Sequence, residues 1–310
     1  MRLIMLGTGP FAVPTLRALA ASPHEVLLSV SRPPRGRKPL PAPVEIAAEE
    51  LGIPRWLPDT VNSDEARAKL RELRADLLVV CDYGEILKSE TLAVTRLGGI
   101  NLHGSLLPKS RGAAPVQWAV LNGDVETGST VIQMTPGLDA GPIVGVDRVA
   151  VDPDETAGEL ETRLAERGAA LVLEVVDKLA AGVAEPLAQD KSQATKAPRL
   201  TKEQGEVNWL SSARTIKNQA RALHPWPRAF THWQRAAGEP LRLILERVQL
   251  AEGDFESAPP GTVVLAEQQV VVSTGADYLS LEQIQPAGKR IMAAAEFLRG
   301  YPVKVGDTLG

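Results

Sequence analysis

The sequence predicts two domains, an α/β fold built on a parallel sheet followed by a smaller all-β domain. With 310 residues, the chain exceeds the usual size of one domain. Its first half alternates strand-like and helix-like segments, the pattern of parallel strands joined by right-handed crossovers. Its last third contains short strand-like runs separated by glycine and proline, which is typical of a small barrel or sandwich.

The composition is that of a soluble folded protein, with 44% hydrophobic and 23% charged residues. A single cysteine, Cys81, excludes an internal disulfide and a multi-thiolate metal site, as expected in a reducing compartment. The N-terminal run MRLIMLGTG is too short for a signal peptide or a membrane span, so we expect a cytoplasmic protein. The formal net charge of −4 argues against nucleic-acid binding through bulk positive charge, although local basic patches can still bind.

The first strand-like run, residues 2–6, leads into a glycine-rich turn and a helix. Gly7, Gly9 and Ala12 match the dinucleotide fingerprint G-x-G-x-x-A, whose tight turn lets backbone amides meet an anion. A nicotinamide site also needs a ribose-binding acid after the next strand, and Ser31 stands there instead. We therefore interpret the turn as a strand-to-helix connection that lines a cleft, and we disfavour an oxidoreductase.

Residues 31–43 form a basic, proline-rich segment with five prolines and four cations. Proline lacks the amide proton that helices and central strands need, so the segment must be an exposed loop. A run of charge is usually a solvated surface, but prolines stiffen a loop and lower the cost of ordering it on a partner. Both interpretations, surface loop and partner-binding loop, remain open on these residues alone.

The rest of the first domain continues the alternation of strands and helices. Helical periodicity is found at 44–51, 63–73 and 156–181, and strand-like runs are found at 75–84, 99–103, 130–134 and 143–151. Parallel sheets bind ligands at the carboxyl ends of their strands. We therefore expect a site where 7–10, 81–84 and 101–108 meet, with Cys81 as a buried hydrophobe.

Three side chains with complementary chemistry are predicted at this edge. Asn101 and His103 stand two residues apart at the end of a strand, so they share one face of the sheet. Asp139 lies in a loop bounded by Pro136 and Gly141. An amide donor, an imidazole and a carboxylate are what acyl transfer needs to stabilise an oxyanion and accept a proton. Each residue alone is more often structural, but together they are candidate catalytic residues.

The second domain is predicted from its helix and its strands. Residues 185–202 are polar and irregular and are interpreted as a linker between a domain at 1–184 and one at 203–310. Ser211 is the predicted cap of a helix with an apolar face, and strands are predicted at 229–233, 241–250, 261–266, 269–274 and 278–285.

The segment INLHGSLLPKSRGAAP, followed by GLDAGP, resembles the folate-dependent formyltransferases. The resemblance covers nearly the whole chain, including GTGPFAVP at the start, the RGRK loop, HPWPRAF and QPAGKRIMAAAEFLRG. It implies a doubly wound N-terminal formyltransferase domain and a C-terminal, OB-like β-barrel that binds tRNA. The usual GLDTGD and AYG of the family read GLDAGP and DYG here, so that Ala140, Pro142 and Asp82 are departures.

The resemblance also implies an activity, a cosubstrate and site residues. The reaction is formyl transfer from 10-formyltetrahydrofolate to the α-amino group of methionine on charged initiator tRNA, without a metal and in a monomer. The residues that match the family's catalytic positions are Asn101, His103 and Asp139. The residues that match its contacts to reduced folate are Ser105, Leu106, Leu107 and Pro108. The residues expected to bind tRNA are Arg35, Arg37, Lys38 and Lys202.

Two other functions use parts of the same pattern. Amino-sugar formyltransferases have a similar length and motif, so an amino-sugar nucleotide or another small amine is the alternative acceptor. The segment 113–115, the RGRK loop and the C-terminal GKR run favour tRNA. A noncatalytic RNA-binding protein would use the basic loop and the barrel alone, and the presence of Asn101, His103 and Asp139 argues against it.

Overall fold

The computed structural model describes residues 1–34, 36, 40–235 and 238–310. The first elements in chain order are β1 (Arg2–Gly7), α1 (Val13–Ala20), β2 (Glu25–Val30), α2 (Pro43–Glu50), β3 (Arg55–Trp56), α3 (Asp64–Glu72), β4 (Leu77–Cys81), α4 (Ser89–Leu92), β5 (Gly99–His103), β6 (Arg111–Gly112), α5 (Pro115–Asn122), β7 (Glu126–Gln133), β8 (Ile143–Ala150), α6 (Ala157–Ala181) and β9 (Lys196–Ala197). The following elements are α7 (Ala213–Ala222), β10 (Phe230–Trp233), β11 (Leu241–Ala251), β12 (Val263–Ala266), β13 (Val270–Ser273), β14 (Tyr278–Pro286), β15 (Met292–Ala293) and α8 (Ala294–Gly300).

The chain divides into two compact units. The first contains Met1–Val116, Glu126–Ala150 and Leu160–Pro198, and the second contains Gln117–Val125, Val151–Glu159 and Arg199–Gly310. The domain limits that we expect from the sequence, 1–184 and 203–310 with a linker between them, remain predictions.

The first unit is built on a seven-stranded sheet with the order β3-β2-β1-β4-β5-β7-β8. The strands from β3 to β5 are parallel, while β7 and β8 are antiparallel to their neighbours. Strand β4 and residues 3–7 of β1 are apolar and buried on both faces, as in a sheet covered by helices on two sides. The predicted doubly wound α/β domain is confirmed, and it ends in an antiparallel hairpin.

The second unit contains a curled antiparallel sheet with the order β10-β11-β14-β13-β12, and β15 pairs with β14. The C-terminal residues connect its two edges, because Leu309 pairs with Trp233 beside β10 and Thr308 pairs with Thr262 beside β12. The curled sheet encloses a core that includes Phe297 and the apolar face of α7. The predicted OB-like barrel is therefore confirmed.

The start of α7 differs by one residue from the prediction. Ser212, rather than Ser211, is the N-cap, and its hydroxyl accepts a hydrogen bond from the Thr215 amide at 3.2 Å. An N-cap side chain accepts a hydrogen bond from the amide two or three residues further along the chain. Ser212 lies three residues before Thr215, whereas Ser211 lies four before it. The apolar face is as predicted, with Ala213 and Ile216 fully buried.

Cys81 is buried in β4, as predicted for a small apolar side chain. Burial, followed by the nearby Asp82 carboxylate, raises the pKa of its thiol well above the usual value. No helix within the described residues is both long and apolar enough to cross a membrane. In the same part of the chain, no three His, Cys, Asp or Glu side chains are grouped as a metal ion would require.

Candidate active site

Strand β5 carries the first two candidate catalytic residues. Because side chains alternate along a strand, Asn101 and His103 point to the same face of the sheet. His103 is 6% exposed, while Asn101 is only partly buried. Within the described chain, the Asn101 carboxamide makes no hydrogen bond to protein atoms. Its N–H groups are therefore available to a ligand.

The hydrogen bonds of His103 determine which ring nitrogen can act. Its Nε2 lies 2.9 Å from the backbone carbonyl oxygen of Ser110. A carbonyl oxygen can only accept a hydrogen bond, so Nε2 must carry a proton and donate. Ser110 has a φ of 58°, and this left-handed conformation aims its carbonyl at the ring. Nδ1 is therefore the nitrogen of His103 that is left for chemistry.

Asp139 lies beside that free nitrogen. Its Oδ2 is 3.8 Å from His103 Nδ1 and accepts a hydrogen bond of 2.9 Å from the Gly112 amide. The side chains of His103 and Asp139 are 7% and 12% exposed, so water screens their interaction weakly. Asp139 presents an acceptor oxygen to the Nδ1 side of the ring. The pair can therefore stabilise a negative oxygen through Nδ1 or take a proton from a nucleophile.

Two glycines let the surrounding loops approach closely enough to form this site. A Cβ at Gly141 would lie 1.8 Å from the carbonyl oxygen of Gln133, so a side chain there would push the Asp139 loop off β7. A Cβ at Gly112 would lie 2.4 Å from the carbonyl oxygen of Ala197, and Gly112 also has a φ of 130°. Glycine is therefore required on both sides of Asp139.

The predicted folate-contacting segment follows directly after β5. Ser105 and Leu107 are 1% and 6% exposed, whereas Leu106 and Pro108 are half-buried. Only Leu106 and Pro108 therefore offer side-chain surface to a ligand. Thr130 holds the segment in place, because its hydroxyl donates to the Ser105 carbonyl at 2.6 Å and accepts from the Leu107 amide at 3.1 Å. The sequence analysis did not identify Thr130, since nothing in its local pattern indicates this contact.

The chain between 185 and 198 packs onto the same loops. Thr195 accepts two amide hydrogen bonds, from Ser110 to its hydroxyl at 2.8 Å and from Arg111 to its carbonyl at 2.9 Å. Gln189 donates to the carbonyl oxygens of Asp139 at 2.8 Å and Gly141 at 2.7 Å. Sequence reasoning missed Thr195 and Gln189, because their partners lie more than 45 residues away in the chain.

Asp82 introduces a further acidic group at the carboxyl end of β4. Its carboxylate packs against Gly9 at the end of β1, where a Cβ would lie 1.8 Å from Oδ2. The side chain reaches solvent, but the surrounding protein removes part of its hydration and raises its pKa to about 6. Glu161 is close enough to be affected by the charge of Asp82. Burial, and then this charge, raise the pKa of the Glu161 carboxyl.

The candidate tRNA-binding residues are placed less completely than the catalytic ones. Arg35, Arg37 and Lys38 lie outside the described residues. Lys202 is exposed in the second unit, before a short 3-10 helix at Glu203–Gly205. At the start of the basic loop, Arg32 forms an ion pair of 3.0 Å with Glu85, so this cation is already neutralised.

Comparison with known families defines the class of protein. Residues 1–176 match the family described as Formyl transferase, and residues 199–302 match Formyl transferase, C-terminal domain. A solved structure of an N-formyltransferase from Helicobacter canadensis, in complex with folinic acid and dTDP-3-aminofucose, aligns with a TM-score of 0.69. It is 17% identical and covers 90% of this chain and 98% of that one, a likeness that shows a shared fold.

Two relatives of higher identity define the branch of the class. The methionyl-tRNA formyltransferase of Rhodopirellula baltica is 41% identical over 327 residues, covering 100% of this chain and 96% of the relative. The methionyl-tRNA formyltransferase of Moorella thermoacetica is 41% identical over 314 residues, covering 100% of this chain and 99% of the relative. The chain belongs to the methionyl-tRNA formyltransferase family. The family resemblance identified in the sequence is thereby confirmed.

Proposed function

We propose that the protein transfers the formyl group of 10-formyltetrahydrofolate to the α-amino group of methionine on charged initiator tRNA. The identity of 41% to methionyl-tRNA formyltransferases over the full chain supports this acceptor over an amino-sugar nucleotide. The amino-sugar enzyme from Helicobacter canadensis shares the fold at only 17% identity. The observation that carries the proposed chemistry is the placement of Asp139 Oδ2 3.8 Å from His103 Nδ1 beside the free Asn101 amide.

The three residues divide the chemistry of the transfer among them. Attack of a neutral amine on a formyl carbon places negative charge on the formyl oxygen and a proton in excess on the nitrogen. Asn101 donates an N–H to that oxygen, and His103 donates from Nδ1, each donor contributing about 3 kcal/mol. Asp139 faces Nδ1 and orients the ring, and it accepts the proton of the amine, directly or through water. Collapse of the charged oxygen then breaks the bond to the folate nitrogen, which takes up the proton that Asp139 accepted from the amine.

The reduced folate has a suitable surface next to these donors. Leu106 and Pro108 are half-buried and follow β5 directly, so they present apolar atoms close to His103. A flat ring system binds to such a surface with its polar edge directed at backbone groups. Ser105 and Leu107 are too buried for side-chain contact, and their part is to shape the segment through Thr130.

For the tRNA, we propose contacts from the basic loop and from the second unit. Arg35, Arg37 and Lys38 belong to a proline-rich segment of the sequence, and Lys202 is exposed. Clustered cations neutralise phosphates locally, and screening limits the influence of distant acids to about 8 Å at physiological salt. A net charge of −4 is therefore compatible with tRNA binding.

The function is tested by supplying the protein with 10-formyltetrahydrofolate and each of two acceptors, charged initiator tRNA and an amino-sugar nucleotide. We expect formylation of the methionyl-tRNA and none of the sugar. Transfer to the sugar alone would replace the proposed acceptor. His103→Ala serves as the matched control, because it removes the imidazole while the rest of β5 stays in place.

A further inference from the structure

The Asp139 loop is fixed by a residue far from it in the sequence. Gln189 Nε2 donates one hydrogen to the Asp139 carbonyl at 2.8 Å and the other to the Gly141 carbonyl at 2.7 Å. Its Oε1 accepts a hydrogen bond of 2.6 Å from Arg111 Nη2. One side chain thus connects the loop that carries Asp139 with the strand that follows Ser110.

The orientation of this carboxamide is determined by its neighbours. A flipped amide would place Oε1 against two carbonyl oxygens and Nε2 against a guanidinium, so that all three contacts would be repulsive. In the observed orientation, Gln189 uses both donors and its acceptor. An amide bonded on three sides has little freedom, and it is partly buried.

The loop has backbone hydrogen bonds of its own, from the Gln133 amide to the Pro142 carbonyl at 2.9 Å and from the Ala140 amide to the Gly137 carbonyl at 3.4 Å, but these do not connect it to the segment beside His103. Asp139 has a φ of 47°, a left-handed conformation that is unfavourable for most residues with a side chain. Strand β7 ends with Gln133 paired to Ile100, so the loop has to fold back to bring Asp139 to His103. Apart from Gly112, Gln189 supplies the hydrogen bonds that hold the residue at this distance.

We propose that Gln189 is a positioning residue, which sets the distance between Asp139 and His103 Nδ1. This inference rests on the proposed function for its kinetic consequence, but its structural consequence can be measured without any substrate. A displacement of about 1 Å between catalytic groups can cost on the order of a hundredfold in rate. Losing Gln189 should therefore lower kcat more than it raises KM.

The test uses two substitutions with different effects on the three contacts. Gln189→Glu keeps an acceptor for Arg111 but replaces the donors with a carboxylate, which repels both loop carbonyls. Gln189→Asn keeps the donors and shortens the side chain by one methylene. Gln269→Glu is the matched control, because it makes the same change of charge at an exposed position in the second unit.

We expect Gln189→Glu to lower kcat roughly ten- to a hundredfold, with KM for the folate within about twofold of wild type. Gln189→Asn should give an intermediate kcat, and Gln269→Glu should match wild type. In parallel, the NMR signals of the His103 ring in the free protein report the position of the Asp139 carboxylate, which lies 3.8 Å from Nδ1. With four histidines in the chain, His103→Gln assigns the signal.

Loss of the Asp139 contact should shift the His103 ring signals of Gln189→Glu, and Gln269→Glu should leave them unchanged. An unchanged signal and a kcat like that of wild type in Gln189→Glu would overturn the positioning role. If Gln189→Glu fails to fold, Gln189→Asn decides by the same two measurements. If the wild-type protein formylates no acceptor, the proposed function fails, while the NMR comparison still decides the role of Gln189.

Discussion

Replacing Asp139 with asparagine tests the charge of the catalytic pair while keeping its shape. The asparagine oxygen can still accept the hydrogen bond from Gly112, so the loop should stay in place. When the His103 ring carries a positive charge, that charge and the Asp139 carboxylate, 3.8 Å apart, interact by about 4 kcal/mol at an effective dielectric constant of about 20. Since about 1.4 kcal/mol corresponds to a factor of ten in rate, the upper limit of the effect is about a thousandfold.

We therefore expect Asp139→Asn to lower kcat by about 10²- to 10³-fold in single-turnover formylation of charged initiator tRNA. KM for the folate should change little, because Asp139 acts on the reacting groups rather than on the folate ring. Asp177→Asn is the control, since it removes a second histidine–carboxylate contact, with His24 Nε2 at 2.9 Å. A kcat for Asp139→Asn within threefold of the control would refute the charge-based role.

Three further substitutions test separate parts of the site. Asn101→Ala should lower kcat by about 10²- to 10³-fold in the same assay, and a rate near wild type would remove this amide from the oxyanion site. Arg35→Ala combined with Arg37→Ala should weaken tRNA binding and flatten its salt dependence by about one to two units of slope, with folate binding and Tm unchanged; an unaltered slope would mean a solvated loop. Because the pKa of Asp82 rises from 3.8 to about 6, the native carboxyl binds its proton more tightly than the unfolded one, and stability is lost as pH rises from about 4 to 6. Asp82→Asn should therefore raise the free energy of unfolding at pH 7.5 by about 1 kcal/mol, less than the roughly 3 kcal/mol of the full shift because solvent reaches the group, and should give no gain at pH 4. Urea denaturation at the two pH values measures this difference, and equal gains at both would contradict it.

The elements of the first unit were accessible from sequence because their patterns are local. Continuous apolar runs predicted β1 and β4, and both are buried on two faces in the sheet. Asn101 and His103 could be paired because alternation along one strand fixes their common face. The two-residue strand β3 carries no such signal, since it pairs only through Ser29 and Val30 of β2.

The barrel was predictable as a set of strands but not as a closed shape. Its strand-like runs indicated a barrel or a sandwich, and the family resemblance favoured an OB-like barrel. Closure depends on Thr308 and Leu309, which join strands at opposite edges of the sheet. A two-residue pairing between distant segments leaves no periodic pattern in the sequence.

By itself, the sequence determined the chemical groups of the candidate site: an amide at Asn101, an imidazole at His103 and a carboxylate in the Asp139 loop. Only the tertiary structure decided which of their atoms are free for the proposed chemistry. The Ser110 carbonyl occupies Nε2 and leaves Nδ1 free, and Gln189 restrains the loop that brings Asp139 to it. These contacts join segments from separate strands and loops. Their geometry follows from how the folded backbone brings those segments together, which no local pattern of residues encodes.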